Sequence, residues 1–89
     1  MLRIEKGVPT LDLHWMDVKT AVQITKTFLL QSHGNSRRIR IVTGRGLHSF
    51  DGVAKIKNAV EELLLNRGIT YKMTAKGGCF LVPLDGSLD

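Results

Sequence analysis

The sequence predicts an α/β fold, a two-layer sandwich in the order β-α-β-α-β-β, with a four-stranded mixed sheet carrying two helices on one face. Three observations carry this. Two short runs, Thr10-Leu11-Asp12-Leu13-His14 and Arg38-Ile39-Arg40-Ile41-Val42, alternate polar and apolar residues with the two-residue period of half-buried strands. Two longer stretches, after Asp17 and after the loop at 43–52, repeat apolar residues at the i, i+3, i+4, i+7 spacing of a helix with one buried face. The last third of the chain returns to short apolar runs, split by Lys76-Gly77-Gly78.

In the first strand, Leu11 and Leu13 face the core, so Asp12 and His14 share the opposite face. Asp17 is placed to cap the first helix, whose stripe is Val18, Ala21, Val22, Thr25, Phe28 and Leu29 and whose end lies near Ser32, before His33-Gly34-Asn35. Trp15 and Met16 precede that cap and favour a hydrophobic staple, with stacking of Trp15 on a base as the alternative. The second strand turns Ile39 and Ile41 inward and leaves Arg38 and Arg40 on the other face. Val53, Ile56, Val60, Leu63 and Leu64 form the stripe of the second helix, which Gly68 ends as a left-handed cap. Residues 71–75 and 79–84 then read as a hairpin. A helix joins the first two strands, so they are expected to be parallel. The domain is assigned to residues 10–84, with 1–9 an N-terminal extension and 85–89 a C-terminal tail.

Eighty-nine residues with 43% apolar content suit one small globular domain. At this size only about 60–65% of the unfolded surface is buried, which argues against a deep cofactor cavity. The single cysteine, Cys79, excludes an internal disulfide and a four-cysteine zinc site, and it favours a reducing compartment, the cytoplasm or the nucleus. With no apolar run near the roughly 20 residues of a membrane span, and no apolar stretch after Arg3, Glu5 and Lys6, neither a membrane partner nor a secretory signal is expected. The net charge of +5 is uneven: eight of the 13 Lys and Arg lie in residues 1–45, against three acids. Arg37, Arg38, Arg40 and Arg45 cluster around the second strand, as suits a phosphate backbone, although a merely solvated face gives the same pattern.

Parallel strands point their C-terminal ends the same way, so His14 and the loop Thr43-Gly44-Arg45-Gly46-Leu47-His48-Ser49 should meet at one edge, where open α/β sheets place ligands. Gly44 and Gly46 around Arg45 allow backbone N–H groups and a guanidinium to converge on an anion near a helix N-terminus. The loop lacks the Lys-Ser/Thr end of a P-loop and the third glycine of a dinucleotide fingerprint. A carboxylate at Asp12 can bias the charge of the His14 imidazole or fix its orientation. Together with His48, these residues hold acid, base and anion-binding groups, a kit for phosphodiester cleavage. Lys55 and Lys57, in the first turns of the second helix, would be relieved by a nearby phosphate. Asp12, His14, His48 and Asp51 match no recognised metal-ligand spacing, and Cys79 has no evident activating partner.

The two motifs resemble a known family. Leu11-Asp12-Leu13-His14 is similar to the Leu-Asp-Leu-His-Gly motif that opens Smr (small MutS-related) domains, and residues 43–49 are similar to their Thr-Gly-Arg-Gly-x-His-Ser loop. Gly52-Val53-Ala54-Lys55-Ile56-Lys57 matches the start of the family's second helix, and the resemblance covers about residues 10–84. It implies the same β-α-β-α-β-β sandwich and an endonuclease or nucleic-acid-binding role. The loop looks most like that of eukaryotic members bearing ubiquitin-binding modules, some of which cleave mRNA on stalled ribosomes. Trp15 departs from the pattern, standing where the family usually has glycine.

The leading expectation is an RNA endonuclease in which Asp12 orients His14, Arg45 and the loop amides hold the scissile phosphate, and His48 assists proton transfer. Gly44, Arg45, Gly46, Arg38, Arg40, Lys55 and Lys57 would bind the nucleic acid. No cofactor is required, dependence on a divalent cation is left open, and the domain is expected to act as a single copy. DNA is the alternative substrate and the ribosome a further partner. The rivals are an RNA- or DNA-binding module without catalysis and a protein-docking or ribosome-docking domain.

Overall fold

The computed structural model describes residues 2–14, 16–44, 51–74 and 77–84, with side chains of the second helix described from residue 55. In chain order these form β1 (Leu2–Glu5), β2 (Val8–Asp12), α1 (Val18–Ser32), β3 (Arg38–Val42), α2 (Asp51–Asn66), β4 (Lys72–Thr74) and β5 (Cys79–Pro83). The sheet runs β1-β2-β3-β5-β4, with β2 and β3 parallel and every other neighbouring pair antiparallel. The α/β class holds, but the described sheet has five strands, not four. The added strand, β1, lies in the segment assigned to an extension, and β2 begins at Val8, before the expected start.

A two-residue turn makes that hairpin. Glu5 pairs with Val8 across it, and Lys6 and Gly7 take φ values of 50° and 78°. Positive φ at both central residues gives the turn whose twist matches paired strands, and glycine carries the second position without a Cβ penalty.

The core follows the predicted alternation. Leu11, Leu13, Ile39, Ile41, Phe80 and Val82 project from one face of the sheet into a cluster with Ala21, Phe28 and Leu29 of α1 and Ile56, Val60 and Leu64 of α2. Both helices therefore cover the same face. Asp17 caps α1, its carboxylate accepting from the Thr20 N–H at 2.7 Å, and the buried Thr25 hydroxyl donates to the Ala21 carbonyl at 2.7 Å, so its polar atom is satisfied within the helix. Gly68, at φ 67°, ends the second helical segment as expected, and the Ile69 N–H then bonds back to the Leu64 carbonyl at 2.9 Å. Beyond the cover of α1, the apolar side of β1 remains open, with Leu2 and Ile4 exposed.

Opposite the helices, residues directly paired across strands share a face. Arg3, Thr10, Arg40, Leu81 and Lys72 form one row through all five strands, and Asp12, Val42, Cys79 and Thr74 form the next row towards the C-terminal ends of β2 and β3.

Candidate nucleic-acid active site

The parallel register sets where the chemistry collects. Asp12 pairs with Val42, and the Leu13 N–H donates to the Val42 carbonyl at 2.8 Å, so the chain leaves β2 at His14 beside the point where it leaves β3 for Gly44. Leu13 is fully buried under the helices and anchors this end of the strand, while the next residue, His14, is exposed. The histidine therefore stands at the surface and not in the core.

Asp12 holds it from two sides. One carboxylate oxygen, Oδ1, accepts from the His14 backbone N–H at 3.0 Å and lies 2.7 Å from His14 Nδ1. Partial burial pushes the Asp12 carboxyl up. The His14 N–H, the Arg3 guanidinium and the His14 ring together outweigh that effect and hold it below the ordinary carboxylate value. An ionised carboxylate only accepts, so Nδ1 carries the hydrogen of that bond and the neutral ring presents Nε2 as its acceptor. Side-chain exposure is 19% for Asp12 and 41% for His14, which leaves the carboxylate sheltered and the imidazole reachable.

Arg3 completes the group. Its Nη1 donates to Asp12 Oδ2 at 2.7 Å and its Nε to Glu5 Oε2 at 3.0 Å. Neither Arg3 nor Glu5 has an expected role from the sequence alone. The signal was present in Leu2-Arg3-Ile4-Glu5, whose strict alternation is that of a strand, followed by a glycine turn.

Gly44 takes φ 94°, and its N–H, like that of Thr43, donates to the Gly78 carbonyl at 3.1 Å. Its amide is thus engaged by the β4–β5 turn, and what Gly44 supplies to the loop is its left-handed backbone. The same turn receives Lys57, whose Nζ lies 3.1 Å from where a Cβ on Gly77 would stand. Asp12, His14, Gly44 and Lys57 are thereby gathered at one sheet edge. Arg40, half-buried, sits one row back beside Thr10. Arg38, exposed, begins β3 four residues before Val42, about 13 Å from that edge at the strand rise. Lys55 is exposed on α2. Arg45, Gly46, His48 and Trp15 lie outside the described residues.

Among the described residues, no three His, Cys, Asp or Glu side chains are grouped to hold a metal ion. His48 and the Asp51 side chain, two of the four weighed as ligands, lie outside them. Cys79 is buried, and burial pushes its thiol up, away from the reactive thiolate. No described helix is long and apolar enough to cross a membrane.

Comparison with known proteins identifies the family of this fold. An SMR domain-containing protein of Arabidopsis thaliana is 35% identical over 83 residues, covering 91% of this chain and 16% of that protein. Endonuclease NBR9 of Saccharomyces cerevisiae is 32% identical over 78 residues, covering 85% of this chain and 32% of that protein. The chain thus spans less than two thirds of either relative. The crystal structure of a human small-MutS related domain superposes with a TM-score of 0.67 at 34% identity, covering 83% of this chain and 98% of that one. The sequence profile of the Smr domain family matches residues 11–76, from Leu11 near the end of β2 through α2 and β4. With the family profile over most of the chain and the shared fold in agreement, the chain belongs to the Smr domain family.

Proposed function

We propose that this domain is an endonuclease that cleaves RNA. The observation that carries the reading is the His14 ring, held through Nδ1 by Asp12 at 2.7 Å and exposed at the C-terminal end of a strand. In this reaction His14 Nε2 accepts the proton of a ribose 2′-OH, and the 2′-oxygen forms a bond to the adjacent phosphorus as the P–O5′ bond breaks. His48 returns a proton to the departing 5′-oxygen, so the products are a 2′,3′-cyclic phosphate and a 5′-OH. Arg45, with loop amides beyond Gly44, binds the phosphate, and Lys57 and Arg40 extend the basic surface beside it. A metal ion need not take part in this route. The name of the yeast relative, an endonuclease, supports the reaction class, and mRNA on stalled ribosomes is the substrate setting we favour.

The experiment incubates the domain with RNA and with DNA, with and without EDTA, and identifies the ends. His14→Ala should lower cleavage by about 10²–10⁴-fold with little loss of binding, because a general base acts mainly in the transition state. Arg45→Ala should weaken binding as well and flatten its salt dependence. Steep salt dependence without cleavage by the intact domain would leave a binding module, and a shallow one would favour protein docking.

A further inference from the structure

The family match begins at residue 11, yet a side chain that touches Asp12 comes from β1. Arg3 faces Thr10 directly across the hairpin and Glu5 faces Val8, so both lie on the open face of the sheet, and Asp12 is one diagonal step further along β2. The Arg3 fork is held at two points: Nε on Glu5 and Nη1 on Asp12 Oδ2. Asp12 Oδ1 serves His14 twice, through the backbone N–H and through Nδ1. A carboxylate turns easily about its last bond, and such a turn would carry Oδ1 away from the ring. A guanidinium fixed on Oδ2 opposes that rotation and also favours the ionised form, which the Nδ1–H bond requires.

We propose that Arg3 is a positioning residue for His14, acting through Asp12, with Glu5 holding the Arg3 side chain in place. The chain Glu5, Arg3, Asp12, His14 then runs from the edge strand to the proton-transfer group, and the N-terminal hairpin is part of the working site. The proposal rests on the reading of His14 as a base. Among the described residues, the titratable and charged groups near Asp12 include Arg3 and, through it, Glu5 from β1, His14 just beyond its own strand, and Arg40, two residues before its β3 partner Val42.

The test uses Arg3→Gln, Arg3→Lys and Glu5→Ala, each checked by thermal unfolding. It has two readouts: ¹⁵N NMR of the His14 ring nitrogens, and single-turnover RNA cleavage across pH. Arg3→Gln should lower the rate at saturating RNA about 10-fold with apparent affinity unchanged, as loss of an orienting partner behind a reactive group does. It should also move the acid limb of the profile to higher pH, and its His14 spectrum should show a larger share of the tautomer with the proton on Nε2. Lysine keeps the charge without the fork, so Arg3→Lys should fall between Arg3→Gln and the wild type, and Glu5→Ala should shift all readouts the same way by less. A folded Arg3→Gln with wild-type tautomer and rate overturns the proposal. So does a loss confined to affinity, which would make Arg3 a phosphate contact. If Arg3→Gln does not fold, Arg3→Lys and Glu5→Ala decide by the same criteria. If the wild type cleaves no RNA, the reading of the reaction fails, while the ring spectrum still decides whether Arg3 orients His14.

Discussion

Replacing Asp12 with asparagine keeps the shape of the side chain and removes one acceptor atom and the charge. In the native site Oδ1 takes two hydrogens from His14 and Oδ2 takes one from Arg3. An asparagine can turn its oxygen to Arg3, leaving an NH₂ group against the His14 N–H and ring, or turn it to His14 and press NH₂ against the guanidinium. Either way a donor meets a donor. In the first arrangement the ring must accept at Nδ1 and carry its proton on Nε2, the wrong tautomer for a base. A hydrogen bond to a charged group contributes about 1.5–3 kcal/mol, and with His14 41% exposed the lower end applies. At about 1.4 kcal/mol per factor of ten, that bias alone makes the productive ring roughly 10-fold rarer, and complete loss of the general base sets the ceiling at about 10²–10⁴. Asp12→Asn should therefore cleave RNA between about 10-fold and 10³-fold more slowly, with binding within about twofold of wild type. Single-turnover cleavage with end analysis and a filter-binding titration measure the two effects. A folded Asp12→Asn that cleaves at the wild-type rate would refute the role given to this carboxylate.

Three further outcomes concern stability. Asp12 and Asp17 both have folded-state carboxyl values below the ordinary ones, in Asp17 because it accepts from the Thr20 N–H, so each stabilises the fold above the unfolded value of about 4 and loses that contribution as pH falls through the lower folded one. Melting temperature should decline below about pH 4, and less steeply in Asp12→Asn/Asp17→Asn, as a pH series of thermal melts will show. Gly77→Ala places a Cβ at φ 90° and 3.1 Å from Lys57 Nζ, so it should cost about 1–2 kcal/mol and also weaken RNA binding by moving the lysine. Gly34→Ala, at φ 80° with open space around it, should cost a similar amount and leave binding unchanged.

Much of this structure was legible because burial writes itself into periodicity. Leu11, Leu13, Ile39 and Ile41 read as inward-facing, and they are. The helix that begins after Asp17 and the glycine that ends the second one follow from capping chemistry that operates within a few residues. The meeting of His14 with Gly44 followed from parallel strands alone. What escaped notice depended on contacts between distant residues. β1 is hard to read from sequence because four residues make a weak signal and Lys6 replaces the Asn or Asp usual at such turns. The Arg3–Asp12 pair could not be seen until that hairpin was closed, since the register decides which side chains face each other. Likewise nothing local to Gly44 or Lys57 indicates that the β4–β5 turn reaches both of them.

The two-residue turn at Lys6 and Gly7 has a consequence for how this sequence can change. A strand shows alternate residues to alternate faces, so one residue inserted between Glu5 and Val8 would rotate the whole of β1 by half a period. Leu2 and Ile4 would then lie over Thr10 and Asp12, and Arg3 and Glu5 would turn towards the apolar underside beside α1. No atom of Asp12 or His14 would have been altered, yet the carboxylate would have lost its cation. Insertions at this turn are constrained by the polarity of the neighbour they would deliver, and two-residue insertions, which restore the phase, should be tolerated where single ones are not.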